Sequence, residues 1–316
     1  MRILVTGGAG FIGSHVVEAY LSAGHDVVIV DDLATGALSN VAAGAGFTEM
    51  DILSDELERV FEAFKPDVVN HHAAQQSVSR SVKDPVYDAQ INILGTLNLL
   101  RNCARFGVRK IILASSGGTV YGEGIRFPAS ETDPVGAASP YGISKLACEQ
   151  YVRFYRTSDI THTILRYSNV YGPRQDPHGE SGVVSIFCKA LMNGVSPEVY
   201  GVSELGDGGC VRDYVYVSDV ARANVLALDS GDDETLNIGT GVETTTLELY
   251  ETIRRNSFHK ELQPVWASPR KGDVARNSLN PDRAKRVLNW SPSVTLQNGV
   301  RATMDSFTSV SRELAG

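Results

Sequence analysis

Ile3-Leu4-Val5-Thr6-Gly7-Gly8-Ala9-Gly10-Phe11-Ile12-Gly13 decides the fold. Four residues suited to a buried strand run into a glycine-rich turn, and an apolar-periodic helix follows until Gly24 stops it. A second buried strand covers 26–30 and ends on Asp31-Asp32. Strand, glycine turn, helix, strand and acid form the context a dinucleotide fingerprint requires. Gly7 and Gly8 permit the tight turn, Gly10 lets backbone approach a pyrophosphate, and Gly13 lets helix pack closely on strand. The free N–H groups of the first helical turn, at Phe11 and Ile12, then face the phosphates. Asp31 lies where a carboxylate accepts hydrogen bonds from ribose hydroxyls and repels a 2′-phosphate, so the expected cofactor is NAD. Asp32 is an equal candidate for that role.

Outward from the turn, strands are predicted over 3–6, 26–30, 67–71, 109–115 and 161–166. Helices are predicted near 11–23, 55–64, 86–106 and 140–157. Near-continuous apolar strands separated by helices imply an α/β, Rossmann-type doubly wound parallel sheet. Ligands bind at the carboxyl ends of such strands. That edge gathers the glycine turn, Asp31, the segment 71–75, Ser115 to Tyr121 and the loop at Asn169. After residue 172 the loops lengthen and short strands mix with helices. The expected organisation is a cofactor domain over 1–172 and a smaller C-terminal α/β substrate lobe over 173–316, with some segments returning to the first domain.

Tyr141-Gly142-Ile143-Ser144-Lys145 adds chemistry to this frame. Ser139 suits a helix cap and Pro140 its first turn, so Tyr141 and Lys145 share one helical face. A nearby ammonium and the positive helix end both favour a phenolate. A phenol so placed is a general base.

Composition narrows the partners. The chain has 316 residues, a mass of 34.1 kDa, 42% hydrophobic residues and a net charge of −8 with no basic run, which argues against nucleic acid or an anionic membrane. No stretch has the apolar length of a membrane span, and no signal peptide is expected ahead of the strand at residue 3. Cys103, Cys148, Cys188 and Cys210 form no C-x-x-C pair, which suits a cytoplasmic protein with reduced thiols. His71 and His72 would point to opposite faces of a strand, so no metal site is expected.

Several motifs recur in order: Thr6 to Gly13, Ser115-Ser116, Val120-Tyr121-Gly122, Tyr141-x-x-x-Lys145, Arg166-Tyr167-Ser168-Asn169-Val170-Tyr171-Gly172-Pro173-Arg174, and Arg212-Asp213-Tyr214-Val215-Tyr216-Val217-Ser218-Asp219. Together they resemble the extended short-chain dehydrogenase/reductases that act on nucleotide sugars. Within these, the chain is most similar to the UDP-glucose 4-epimerases. The resemblance implies Tyr141 as the base and Lys145 on the nicotinamide ribose. Asp51 and Ile52 would contact adenine, Ala73, Ala74 and Asn92 would line the cofactor channel, and Ser115 would stand beside it. Asn169, Arg212 and Arg270 would hold the UDP-sugar diphosphate and Asp273 the uridine ribose. A homodimer through helices near 86–106 and 141–157 is also implied.

Related dehydratases and decarboxylases carry an acid just before Val-Tyr-Gly. Here Gly118 and Thr119 stand there, which leaves reversible inversion at C4 of a UDP-hexose through a 4-keto sugar. Two departures follow. Gly117 occupies a position where epimerases often carry a hydroxyl. If the strand continues, 117 and 119 share a face, so Thr119 is expected to supply that hydroxyl, with Ser116 second and needing a local twist. Asn277 stands where some relatives carry a bulky Tyr near sugar C2, so N-acetylated sugars are expected to fit. UDP-glucuronate epimerisation, a net NAD-dependent reductase or dehydrogenase, and a non-catalytic NAD-binding regulator are the competing readings.

Overall fold

The structure, a computed structural model, describes residues 1–122, 126–177, 182–269 and 274–313. Its strands are β1 Arg2–Thr6, β2 Asp26–Asp31, β3 Gly46–Glu49, β4 Val68–His71, β5 Lys110–Ser116, β6 Thr161–Tyr167, β7 Asn169–Tyr171, β8 Glu198–Tyr200, β9 Val211–Arg212, β10 Tyr214–Tyr216, β11 Glu234–Ile238, β12 Thr244–Thr245 and β13 Val265–Ala267. The helices are α1 Phe11–Ser22, α2 Leu57–Phe64, α3 Val78–Lys83, α4 Pro85–Ala89, α5 Gly95–Arg105, α6 Gly117–Val120, α7 Pro140–Phe154, α8 Val183–Met192, α9 Val217–Leu226, α10 Thr246–Asn256, α11 Asp282–Leu288 and α12 Leu296–Glu313.

Seven strands form one sheet in the order β11-β6-β5-β4-β1-β2-β3, parallel throughout. The doubly wound reading therefore holds. Side chains alternate across the pleat. Ile3 and Val5 join Val16, Val17 and Tyr20 on one face, while Leu4 joins Phe61, Leu99 and Leu100 on the other. Each such fully buried apolar side chain contributes about 1.5–3 kcal/mol of transfer free energy.

Past residue 172 the chain divides between two bodies. β11, read from sequence among the short strands of the lobe, is the edge strand of the central sheet beside β6. α9 packs against α1 on the same face. α11 packs on β11, and the remainder builds small two-stranded pairs with the help of β7: β7 with β10, β9 with β12 and β8 with β13. These surround a separate apolar cluster that includes Tyr171, Phe187, Leu191, Leu249, Tyr250 and Val300.

Three local features depart from the sequence reading. β3 was not expected; its short run has little burial to mark it. The helix read over 86–106 is broken by a π-helical stretch at Gln90–Leu94 between α4 and α5. The strand assumed to run through 117–119 ends at Ser116, and Gly117–Val120 is a turn of helix. A Cβ at Gly117 would lie 2.4 Å from Leu279 Cδ1, so the chain turns here under a contact from far along the sequence.

Candidate active site

Parallel strands bring the ends of β1, β2, β4, β5 and β6 to one sheet edge. At the end of β1 the glycine turn is packed too closely for side chains. A Cβ on Gly13 would lie 2.1 Å from the Gly7 carbonyl oxygen, and one on Gly7 2.6 Å from Ala73 N. Gly10 is the N-cap of α1, which has no side-chain cap and no acid in its first turn. Phe11 and Ile12 open that helix, so the N–H groups there have no intrahelical acceptor. The donor set fits a pyrophosphate.

Asp31 is buried and takes Ala9 N on Oδ2 and Leu33 N on Oδ1, each at 2.9 Å. Burial raises its carboxyl above the usual range, and those backbone donors pull against the shift. Asp32 is exposed and serves only its own turn, accepting Ala34 N at 3.0 Å. The geometry thus separates the two acids that sequence left equal, and places Asp31 at the cofactor turn. Asp51 is exposed and accepts Leu53 N, while Ile52 is buried against Gly95. Asn98 holds this loop by donating to the carbonyls of Ile52 and Ser54.

Ala73 and Ala74 are partly buried in the loop after β4, beside the glycine turn. Asn92 does not offer a free side chain to this channel. Its Oδ1 accepts Gln75 N at 2.9 Å, and its Nδ2 donates to Gln75 O and to Asp88 Oδ1, both at 3.0 Å. Ser115 is likewise committed, since its hydroxyl donates to Glu149 Oε1 at 2.6 Å.

Ser139 caps α7 by accepting Gly142 N at 3.2 Å, with Pro140 in the first turn. Tyr141 keeps a partly exposed surface, with the Ser116 side chain near its phenol. The Thr119 hydroxyl turns back to the Ser116 carbonyl at 3.5 Å. Once the strand stops at Ser116, positions 117 and 119 no longer alternate on one face, and Ser116 stands at the phenol. Lys145 is buried with Nζ 5.8 Å from the Tyr141 ring centroid, and it donates to Ala114 O at 3.1 Å. Burial pushes the Tyr141 phenol up, the Asp88 carboxylate adds to that, and the Ser116 hydroxyl opposes it. The same desolvation lowers Lys145. Burial thus acts on the phenol in the direction opposite to the two features that the sequence offers for its ionisation.

On the sugar side, Asn169 begins β7 and pairs with Tyr214 of β10. Arg212 folds its Nη1 onto the Val211 carbonyl at 2.9 Å. Asn277 is buried, with Nδ2 at 3.3 Å from both the Gly117 and Gly118 carbonyls. It therefore joins the substrate lobe to the turn behind Ser116. Arg270 and Asp273 lie outside the described residues. Among the described residues no group of three or more His, Cys, Asp or Glu could hold a metal, and no helix is long and apolar enough to cross a membrane.

Sequence reasoning missed the buried polar groups beneath the site. Asp88 joins Gln75, Asn92 and Ser144. Glu149 takes a two-point contact from Arg166 at 2.9 and 2.7 Å. Burial alone would push the Glu149 carboxyl up, and the Arg166 guanidinium carries it below the usual range. The signal available in sequence was spacing: Asp88 is one helical turn before Asn92, and Glu149 one turn after Lys145.

A model of the NAD dependent epimerase/dehydratase family matches residues 3–239. A UDP-glucose 4-epimerase from Mycolicibacterium smegmatis is 44% identical over 319 residues, covering 99% of this chain and all of that protein. Among solved structures, the Thermotoga maritima UDP-glucose 4-epimerase with UDP-glucose superposes with a TM-score of 0.94 at 45% identity, covering 98% of this chain and 99% of that one. The Thermus thermophilus UDP-glucose 4-epimerase in complex with NAD superposes with a TM-score of 0.92 at 46% identity, again over 98% and 99%.

Proposed function

Because the chain belongs to the NAD dependent epimerase/dehydratase family, we propose that it reversibly inverts C4 of a UDP-hexose, interconverting UDP-glucose and UDP-galactose. NAD, when bound, supplies reversible hydride acceptance at C4 and so gives access to a 4-keto sugar. The observation that carries the reading is the meeting of an uncapped helix start and buried Asp31 with the Tyr141–Lys145 pair on one sheet edge.

The chain's own groups then have distinct tasks. The α1 N-terminus and Asp31 hold the pyrophosphate and adenosine ribose, with Asp51 and Ile52 at the adenine. Lys145 holds the nicotinamide ribose. Tyr141 takes the proton from sugar O4 and returns it, and Ser116 orients that oxygen through its hydroxyl. Asn169 and Arg212 take the diphosphate, joined by Arg270, with Asp273 at the uridine ribose. Guanidinium offers paired donors to phosphate oxygens without requiring a high overall positive charge.

A homodimer is supported by exposed apolar side chains on neighbouring helices: Val82 and Val86 at the α3–α4 end, Leu94 in the π-helical stretch, and Ile143 and Phe154 on α7. Such a concentration marks an interaction face. Four free thiols, three of them buried, are compatible with a cytoplasmic setting. A second substrate is favoured at Asn277, whose buried Oδ1 has no hydrogen-bond partner. An N-acetyl group near sugar C2 would find a polar neighbour there. Parallel turnover of UDP-glucose and UDP-N-acetylglucosamine tests this, and absence of the second reaction removes it.

The main reading is tested with protein as purified, given UDP-galactose and no added cofactor. UDP-glucose is expected to form without accumulation of NADH. A need for added NAD, with one NADH released per turnover, would instead establish the dehydrogenase reading.

A further inference from the structure

Asp88 is fully buried in α4. Its Oδ2 accepts the Ser144 hydroxyl at 2.6 Å, and Ser144 lies between Tyr141 and Lys145 on α7. Its Oδ1 accepts Gln75 Nε2 at 2.8 Å and Asn92 Nδ2 at 3.0 Å.

The two amides cannot be turned over. Gln75 Oε1 accepts Ser77 N at 2.6 Å while Nε2 donates to Ser77 O at 3.0 Å. Asn92 Oδ1 accepts Gln75 N at 2.9 Å while Nδ2 donates to Gln75 O at 3.0 Å. Flipping either would set an NH2 against an N–H and a carbonyl oxygen against a C=O. Both NH2 groups must therefore face Asp88, and the Ser144 hydroxyl also donates to it. Three donors and no acceptor match a carboxylate, which only accepts.

We propose that Asp88 is a positioning residue: it ties the Tyr141–Lys145 helix to the loop after β4 and fixes a negative charge against Ser144, one helical turn after Tyr141. The proposal rests on the reading of Tyr141 as the base. Lys145 Nζ on α7 stands 5.8 Å from the Tyr141 ring centroid; the other groups that act on the phenol are Asp88 from α4, the Ser116 side chain from β5 and Cys148 from α7. His71 and His72, from the end of β4, face Lys145. Asp88 also lies in the field of Lys145 and Cys148, so its charge is felt by the whole α7 face. A base must give its proton back in the second half of an epimerisation. A carboxylate beside the phenol adds to burial in holding that proton and strengthens the phenolate as a base once it forms.

The experiment compares Asp88→Asn with Ser144→Ala in the full chain carrying its cofactor. Asp88→Asn removes the charge at nearly constant size. The acid limb of its kcat against pH is expected to move about one pH unit toward acid, because loss of a like charge eases phenol ionisation. The ultraviolet phenolate signal of Tyr141, taken as the difference from Tyr141→Phe, is expected to move equally and does not depend on turnover. Ser144→Ala keeps the charge and removes one tether, so kcat should fall several-fold with the limb in place. An unmoved limb in Asp88→Asn, with Tyr141→Phe inactive, overturns the proposal and leaves the base reading standing. Equal movement in Ser144→Ala also overturns it, since the charge would not be the cause. A fully active Tyr141→Phe removes the base reading and this proposal with it. If Asp88→Asn does not fold, Asp88→Glu decides: a retained limb with lowered kcat supports the assignment, and a shifted limb overturns it.

Discussion

The two ends of the cleft are built by different means. At the cofactor end three candidate groups are committed to backbone: Asp31 to Ala9 and Leu33, Asn92 to both sides of Gln75, Lys145 to Ala114. These partners sit on strands of a seven-stranded sheet or at its carboxyl edge. At the sugar end the strands are two or three residues long and pair only in twos. Arg212 rests on the carbonyl beside it, and the buried Tyr214 hydroxyl and Asn277 Oδ1 have no partner. A cofactor retained through every cycle suits a site finished in advance. A sugar nucleotide that must enter, turn and leave suits groups that keep unused hydrogen-bonding capacity.

The strongest way to break this comparison is to fill the cofactor turn. In Gly13→Ala the new methyl would meet the Gly7 carbonyl at 2.1 Å, with backbone on both sides and no flexible side chain to yield. The purified variant is expected to lose its bound NAD and about 1–3 kcal/mol of stability. Nucleotide release on denaturation and a melting curve measure both. Full NAD occupancy would show that the turn is less finished than its packing indicates.

Next in size is the hydroxyl at the base. Ser116→Ala removes the hydroxyl proposed to orient the sugar oxygen beside Tyr141 and should lower kcat about 100-fold, as loss of one fixed donor at a reacting oxygen does. Thr119→Val should stay within about twofold, because that hydroxyl is spent on the Ser116 carbonyl. Steady-state kinetics on both variants, with NAD content as control, decide the pair. The reverse order would restore Thr119 to the mechanism.

Smaller again is the expected effect at the sugar end. Arg212→Lys keeps the charge and loses the planar fork, so KM should rise about tenfold while stability and NAD content hold. A large loss of stability in this variant would make Arg212 part of the scaffold and blur the distinction between the two ends.

The same distinction governs what could be read from sequence. Gly7, Gly10 and Gly13 were legible because a turn packed on backbone admits no side chain, and Asp31 followed from the strand after it. The Ser139 cap and Pro140 announced α7 by local chemistry. Failures came where distant contacts rule. Gly117 begins a helical turn packed under Leu279, a residue far along the chain, so the strand face that sequence gives to 117 and 119 is absent. One extra residue in a helical turn leaves no trace in a 3.6-residue period, so the π-helical stretch carrying Asn92 was invisible. β11 reads as an isolated short strand until β6 is seen beside it.

The last prediction concerns a residue the sequence dismissed as a metal ligand and assigned no task. His71 is 2% exposed, and its hydrogen bonds fix its tautomer. The Thr96 hydroxyl donates to Asn92 O at 2.6 Å, so it accepts from His71 Nε2–H at 2.9 Å. Nδ1 then accepts the Thr6 hydroxyl at 2.7 Å, and Thr6 Oγ1 accepts Ala73 N at 3.2 Å. A second ring proton would have no acceptor without breaking this chain. Burial lowers the His71 pKa from 6.5 to about 3. A folded-state value below the unfolded one means that the stabilisation is complete above about pH 6.5 and is lost as pH falls toward 3, at about 1.4 kcal/mol per unit. His71→Gln removes that titration. Between pH 7 and pH 5, urea unfolding of the variant should lose about 2 kcal/mol less than the parent protein does. Equal losses would mean that the imidazole is protonated in place, and that this part of the cofactor end is looser than its bonding implies.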